Sequence, residues 1–285
     1  MSDIIIPDKP KLEKKIEAIR KEGASSLHVL SDFDRTLTKA FFKEEKIPSL
    51  ISHLRNGHYL TKDYAEKAQT LFNKYHPIEL SDKITKEEKS KAMLEWWSAH
   101  YKLLVKSGLN EKTIKQALKD IIQEGKIKLR KGAAEFLQKL NQDNIPLIIL
   151  SSAGIGNMVT EFLKEQNLMF NNIHFIGNTL KFDKAGNFAG IKDNKIIHVL
   201  NKHEAEIKNL PIYEEIKQRK NIILLGDSID DLGLAQGVQH KNIIKIGFLN
   251  FSEQSLEEFQ KNFDVIIMND GDFSEINNVL SKILE

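Results

Sequence analysis

The sequence predicts an α/β protein in which a parallel sheet carries helices on both faces and a helical segment is inserted early in the chain. Three observations point there. From about Ala133 to the C-terminus, short apolar runs alternate with helical patterns, as repeated β–α units do. Between about Lys43 and Ile127 strand patterns disappear and helical stripes follow one another. Polar clusters stand just past several apolar runs, where open α/β sheets bind ligands.

Residues Lys11 to Glu22 place Leu12, Ile16 and Ile19 at helical spacing, and Gly23 follows as a stop. The run from about Leu27 to Phe33 is nearly all apolar, which suits a central strand covered on both faces. In the inserted segment, Tyr64, Ala68, Leu71, Phe72 and Tyr75 fall on one helical stripe. Thr85 and Glu88 form a capping box ahead of a second helix with Met93, Trp96, Trp97 and Leu104, ended by Gly108. Asn110 starts a third, with Ile114, Ala117, Leu118 and Ile121 inward and Gly125 at its end. One crossover needs one helix, so three read as a separate helical domain. The expected division is 1–42 and 128–285 for the α/β core and 43–127 for the insert.

Strand and helix then alternate. Ala133 to Leu140 reads as a helix, Leu147 to Ser151 as a buried strand and Met158 to Lys164 as the next helix. Ile173 to Phe182 reads as one strand, turning at Asp183-Lys184-Ala185-Gly186-Asn187 into a hairpin partner around Lys195 to Val199. Asn221 to Leu225, Ile243 to Phe248 and Val265 to Met268 are further strands, the last two followed by helical sequence. No internal repeat, low-complexity tract or Pro/Gly/Ser-rich linker breaks the series.

Composition excludes several classes. At 285 residues the chain can bury one large core or two moderate ones. With 42 basic and 40 acidic residues the net charge is +2, which argues against nucleic acid or a membrane surface as partner. The absence of cysteine rules out disulfides, thiolate metal sites and cysteine nucleophiles, and fits a cytoplasmic home. Met1 to Lys11 lacks the apolar core of a signal peptide, and runs such as Pro146 to Leu150 are too short to span a bilayer.

Chemistry collects around His28-Val29-Leu30-Ser31-Asp32-Phe33-Asp34-Arg35-Thr36-Leu37-Thr38. Alternate residues of a strand point the same way, so Asp32 and Asp34 would share one side where the strand opens. Two such carboxylates repel and become tolerable beside a cation, and Mg²⁺ suits one or two carboxylates plus a substrate phosphate. Asp32 reads as nucleophile or metal ligand and Asp34 as its acid/base partner. A solvated turn is the plain alternative. Three more polar segments follow apolar runs. Ser151-Ser152-Ala153-Gly154-Ile155-Gly156 opens a helix with small residues, whose bare N–H groups suit a phosphate or simply cap the helix. Asn201-Lys202-His203 offers a lysine that matters only if it reaches the same pocket. Gly226-Asp227-Ser228-Ile229-Asp230-Asp231 sets three carboxylates past a buried strand. Together they suit phosphoryl transfer: a carboxylate attacks phosphorus, Mg²⁺ neutralises charge, and an acid protonates the leaving oxygen before activating water.

Asp32-Phe33-Asp34-Arg35-Thr36 resembles the D-x-D-x-T signature of the haloacid-dehalogenase-like phosphatases, and the serine, lysine and Gly-Asp segments follow in that superfamily's order. Tyr75-His76-Pro77-Ile78-Glu79, Glu95-Trp96-Trp97, Ser152-Ala153-Gly154-Ile155-Gly156, Ile197-His198-Val199-Leu200-Asn201-Lys202-His203, Leu225-Gly226-Asp227-Ser228 and Ile244-Lys245-Ile246-Gly247-Phe248-Leu249-Asn250 resemble the cytosolic type III, or pyrimidine, 5′-nucleotidases from about Leu27 onward. The resemblance implies a Rossmann-like core with a helical cap. It implies Asp32 as nucleophile and Mg²⁺ ligand, Asp34 as acid/base and ligand through its carbonyl, and Asp227 as the other carboxylate on the metal. Ser152, Ala153 and Lys202 would hold the phosphate, Glu79 would meet the nucleobase, and Asp231 would support the metal shell. Arg35 and Asp230 depart from the family's usual neutral residue and glycine, and Ser151 competes with Ser152 as the phosphate contact. Trp96 and Trp97, adjacent on a helix, cannot share one face, so at least one is expected in the core.

The expected activity is Mg²⁺-dependent hydrolysis of nucleoside 5′-monophosphates, pyrimidine or 7-methyl-GMP, through an aspartyl-phosphate. A monomer acting on the nucleotide without nucleic acid or membrane is expected. A phosphatase for phosphoserine or a sugar phosphate, or a nucleotide-binding protein without catalysis, are the rivals.

Overall fold

The computed structural model describes residues 3–81, 83–192, 196–202, 210–251 and 254–285. In chain order its elements are β1 (Ile4–Ile5), α1 (Lys9–Glu22), β2 (Leu27–Ser31), β3 (Phe41–Phe42), β4 (Glu45–Lys46), α2 (Leu50–Asn56), α3 (Tyr64–Leu80), α4 (Lys86–Lys106), α5 (Glu111–Gln123) and α6 (Ala133–Gln142). There follow β5 (Leu147–Leu150), α7 (Gly156–Glu165), β6 (Ile173–Ile176), β7 (Leu180–Phe182), β8 (Phe188–Ile191), α8 (Ile212–Ile216), β9 (Asn221–Gly226), β10 (Asn242–Leu249), α9 (Leu256–Asn262), β11 (Val265–Met268) and α10 (Ser274–Leu284).

The apolar runs make a seven-stranded sheet in the order β1-β11-β10-β9-β2-β5-β6, parallel except for β1 at one edge. Every residue of β2, β5 and β9 is buried, as expected for strands covered on both faces. From β2 the chain order runs outward one way through β5 and β6 and the other way through β9, β10 and β11. The carboxyl ends of β2, β5 and β9 therefore border a topological switch point, the usual place for a ligand crevice.

The helical segment is built as its caps indicate. Thr85 accepts from the Glu88 N–H in a full capping box, and Asn110 accepts from the Thr113 N–H. Helices α3 and α4 pack along each other. The two connections to the core lie side by side: Thr38 bridges Leu129 antiparallel, and the Lys39 N–H donates to the Lys128 carbonyl at 2.9 Å.

Several expectations need correction. Ile173 to Phe182 is two strands, β6 and β7. A side chain at Gly177 would meet the Ser151 carbonyl at 2.7 Å, so the chain crosses there on backbone alone. The turn at Asp183 to Asn187 forms, with Asp183 accepting from the Ala185 and Asn187 N–H groups at 2.9 Å. Its partner strand, however, is β8, pairing Leu180 with Ile191. Lys195 lies outside the described residues, and residues 196–199 are not a strand. There the Asn178 side chain takes a strand's place, donating to the Ile197 carbonyl at 2.7 Å and accepting from its N–H at 2.9 Å. Lys202 accordingly follows a turn, not a strand end, and His203 lies outside the described residues. Glu79 sits inside α3, because Pro77 falls in the last turn, where one missing rung does not stop the helix. Besides the three expected helices, the segment 43–127 holds β4 and the short α2, and β4 pairs with β3 just before it.

Candidate active site

The loop after β2 is held tightly before any substrate enters. The Asp32 N–H donates to the Leu225 carbonyl at 3.1 Å, tying β2 to β9 at the point where both open. Asp32 is 6% exposed. Its Oδ1 lies 2.7 Å from Lys202 Nζ, and the same ammonium lies 2.7 Å from Asp231 Oδ1. Burial alone would weaken the lysine's hold on its proton, but Asp231 and Asp32 outweigh it and keep the ammonium charged.

Asp231 organises the second acidic loop. Its Oδ2 accepts from the Asp227 N–H at 2.9 Å and from the Ser228 N–H and Oγ at 3.0 Å each. Gly226 precedes Asp227 because a Cβ there would stand 2.3 Å from that of Asp231. Asp32, Asp227 and Asp231 each offer an oxygen within 4.8 Å of the others. Such crowding of acid in low dielectric raises proton affinity. Burial, then Asp231, pushes the Asp227 carboxyl up to about 7, while Arg35, 3.9 Å away, pulls it down. Burial also raises the Asp32 carboxyl, with Asp231 and Asp227 adding and Lys202 opposing. Asp34, half-buried, is raised by burial against Arg35 and Lys202, which suits a group that must carry a proton. The three carboxylates fit a hard cation, whose charge would remove this repulsion.

Arg35 stands between the paired carboxylates and Thr36 with φ +62°, a left-handed conformation that costs energy outside glycine. Two neighbours hold it: Arg130 donates to the Arg35 carbonyl at 2.6 Å and Asn250 at 3.1 Å. Opposite, the buried Ser151 Oγ accepts from the Ala153 N–H at 3.1 Å, and Ser151 and the half-buried Ser152 both line the cavity.

All eight residues singled out in the sequence, Asp32, Asp34, Glu79, Ser152, Ala153, Lys202, Asp227 and Asp231, line one cavity of about 650 Å³. Its far wall is aromatic. Trp96 is buried and stacks on Tyr75, as expected of a core residue. Trp97, 5.8 Å from Trp96, also reaches the cavity, so both tryptophans contribute. Phe72 stacks on His76 at 4.5 Å, and Glu79 lies 3.0 Å from His76 Nδ1. Arg55, His76 and His100 belong to this wall and Arg130 lies beneath the loop after β2; none of them is a candidate site residue on sequence alone. Helical spacing of Phe72, His76 and Glu79 was the available signal for one of them. A second cavity of about 690 Å³, on the His53 and Asn56 side of α2, holds none of these carboxylates.

A parallel sheet with acid-rich loops at its switch point and an inserted helical wall defines a hydrolase of the haloacid-dehalogenase-like class. A probable phosphoserine phosphatase from Vibrio cholerae shares the fold at a TM-score of 0.54 and 12% identity, over 92% of this chain and 66% of that one. The chain belongs to the pyrimidine 5′-nucleotidase (UMPH-1) family, whose model matches residues 35–284. It is similar to the 7-methylguanosine phosphate-specific 5′-nucleotidase of Mus musculus, 34% identical over 96% of this chain and 90% of the relative. It is also similar to a putative cytosolic 5′-nucleotidase 3 of Caenorhabditis elegans, 32% identical over 99% of this chain and 74% of that protein. The crystal structure of cytosolic 5′-nucleotidase IIIB bound to cytidine superposes with a TM-score of 0.87 at 27% identity, covering 99% of this chain and 94% of that one.

Proposed function

We propose that the protein hydrolyses nucleoside 5′-monophosphates to nucleoside and phosphate with Mg²⁺, through a phosphoryl group carried on Asp32. The observation that carries this is the buried Asp32–Lys202–Asp231 chain, at 2.7 Å per contact, facing an aromatic wall across one cavity. Lys202 holds one oxygen of Asp32, which leaves the other to attack phosphorus. As the Asp32–phosphorus bond forms, the ester oxygen–phosphorus bond breaks, and Asp34 gives its proton to the departing 5′ oxygen. Asp34, now a carboxylate, takes a proton from water, whose oxygen displaces Asp32 and releases phosphate. Ser152, Ala153 and Lys202 would hold the phosphate oxygens, the Ala153 N–H exchanging its bond to Ser151 Oγ for one to phosphate. Asp32, Asp227 and the Asp34 carbonyl would hold Mg²⁺, which when bound supplies charge neutralisation for phosphate and carboxylates. Asp231 supports them by fixing the loop of Asp227.

The inserted segment 43–127 reads as a cap over the core of 1–42 and 128–285, and Glu79 as a contact to the base. The same reading takes the protein as a cytosolic monomer acting on a small nucleotide and not on nucleic acid or a membrane. Balanced charge supports it, and among the described residues no helix is long and apolar enough to cross a membrane. Phosphate release from UMP, CMP, AMP, GMP, 7-methyl-GMP and sugar phosphates, with Mg²⁺ and with chelator, tests it. Release from sugar phosphates alone, or release undiminished by chelator, would contradict it.

A further inference from the structure

The proposed chemistry gives Lys202 a task and leaves a second cation of the same cavity without one. Lys202 is committed to Asp32 and Asp231 at 2.7 Å each. The third carboxylate of the cluster, Asp227, faces Arg35 instead: Nη1 lies 3.9 Å from Oδ2, an ion-pair distance beyond hydrogen-bond reach. Among the described residues Arg35 is the one cation paired with Asp227. Its side chain lines the cavity together with Asp34, Asp227 and Phe251. The guanidinium carbon stands 5.6 Å from the Phe251 ring centroid, within cation–π range, and Phe41 packs edge-on against that ring at 5.5 Å.

The spacing of Arg35 and Asp227 is set by main-chain bonds. The Asn250 side chain donates to the Arg35 carbonyl at 3.1 Å, and the Gln254 side chain donates to the Asp227 carbonyl. Gln254 in turn accepts from the Asn250 and Phe251 N–H groups at 2.9 Å each. None of these bonds uses the Arg35 side chain, so replacing that side chain removes a charge and keeps the scaffold. The charge acts with opposite sign on two ligands. A metal ion held by Asp227 meets like charge from the guanidinium, whereas a phosphate in the same cavity meets opposite charge. The side chain is 35% exposed, so salt screens part of the effect.

We propose that Arg35 sets the balance of the site between its two charged ligands, weakening the hold on Mg²⁺ and strengthening the hold on phosphate. The proposal rests on the reading of Asp227 as a Mg²⁺ ligand in a 5′-nucleotidase site and goes further by giving the neighbouring guanidinium a role in it. Arg35 acts through the field it places on Asp227 and the cavity, and the proposal asks for no bond from it to the reacting atoms.

The test compares the parent with Arg35→Met and Arg35→Lys. Both replacements are unbranched at Cβ and meet the same left-handed backbone, at φ +62°, that Arg35 occupies. Mg²⁺ binding is read by calorimetry and by the rise in Tm with Mg²⁺. Phosphate binding is read as the inhibition constant of inorganic phosphate against p-nitrophenyl phosphate hydrolysis at saturating Mg²⁺. A charge within about 4–6 Å changes the affinity of a carboxylate for its proton by roughly 10- to 1,000-fold, and a part-exposed guanidinium belongs at the low end. Arg35→Met should therefore bind Mg²⁺ about tenfold more tightly and phosphate about tenfold more weakly. Arg35→Lys, which keeps the charge, should stay near the parent on both, and high salt should narrow the difference between parent and Arg35→Met. Affinities for Mg²⁺ and phosphate that both fall in Arg35→Met, or that both stay unchanged, overturn the proposal and leave the nucleotidase reading standing. Arg35→Lys behaving as Arg35→Met does would show that charge is not the cause and overturns it as well. A parent that binds no Mg²⁺ and hydrolyses nucleotides equally well in chelator overturns the metal reading itself, and the proposal with it.

Discussion

Replacing Arg130 by Met should lower stability and turnover together, and the contacts of its side chain set the size of both effects. Arg130 is 1% exposed. Its guanidinium donates to the carbonyls of Thr36 at 2.9 Å, Arg35 at 2.6 Å and Gly271 at 2.7 Å, and to the Asn250 side chain at 2.8 Å. It also lies 2.9 Å from Asp270 and covers the Phe248 ring at 4.1 Å. Burial brings its pKa down to about 10, and Asp270 and Asp227 resist that fall, so it stays a cation. Removing one partner of such a buried pair costs about 3–5 kcal/mol. At roughly 2–4 °C per kcal/mol for a chain of this size class, Tm should fall by about 6–20 °C. The loss also frees the left-handed turn at Arg35, next to Asp34. A shift of the catalytic loop by an ångström costs on the order of 100-fold in rate, so kcat at saturating Mg²⁺ and well below the new Tm should fall by about that factor. Arg130→Lys keeps the charge but cannot serve four acceptors, and should fall between. Thermal unfolding and phosphate release on the same preparations decide the matter. A lowered Tm with parental kcat would show that Arg130 supports the fold alone; an unchanged Tm would refute the reasoning from its buried bonds.

Three further outcomes follow from the site. Asp32→Asn should reduce turnover by more than about 10⁴-fold, and near-normal phosphate release by the pure variant would exclude Asp32 as nucleophile. Asp227 ties pH to metal: its folded pKa, about 7, lies above its ordinary value of 3.8, so the native state binds more protons than the unfolded one between those values. In chelator its contribution to stability therefore falls as pH rises from about 4 to 7. Parent and Asp227→Asn should diverge in Tm over that window, and Mg²⁺ should raise the parent's Tm more at pH 8 than at pH 5; a pH-independent Mg²⁺ effect would contradict this. Glu79→Ala should lower kcat/KM on nucleotides by roughly 10- to 200-fold, as loss of a charged hydrogen bond of about 1.5–3 kcal/mol would, relative to p-nitrophenyl phosphate. Equal loss on both substrates would make Glu79 a support for α3.

What could be read from the residues followed the range of the forces involved. Asp32 and Asp34 stand just past a strand that is buried throughout, a largely apolar local pattern, and β2 ends at Ser31, two residues short of the Phe33 end of that pattern. The capping box at Thr85 and the asparagine cap at Asn110 are likewise local, and both helices start there. Arg130 gave no such signal, because its partners are mostly backbone carbonyls from 94 to 141 residues away. Arg55 was hidden for a similar reason, as an arginine on a seven-residue helix below the length that periodicity detects. Reading Ile173 to Phe182 as one strand failed at Gly177 and Asn178, where tertiary contacts to Ser151 and Ile197 override an apolar run.

One helix joins the two halves of the candidate site. A Cβ at Gly154 would stand 2.3 Å from the Trp97 ring, so the loop after β5 lies directly against α4 at a residue that must lack a side chain. Tyr101, one turn further along α4, donates its hydroxyl to the Gly154 carbonyl at 3.0 Å, and burial raises its pKa so that it remains a donor. Near the other end of α4, Ser90 lies 3.4 Å from His198, close to the turn that carries Lys202. The same helix presents Trp96, Trp97 and His100 to the cavity. His100 lies 3.0 Å from the Tyr64 hydroxyl, and burial, with Arg55 adding, lowers its pKa to about 4, so this ring is neutral near pH 7. A base stacked on Trp97 would therefore rest on the element that braces the phosphate-side loop and the lysine turn. Its position relative to Asp32 would be set by a rigid helix and not by a flexible loop. In this arrangement α4 would set how far a base lies from phosphorus, while Glu79 of α3 would be the carboxylate beside it.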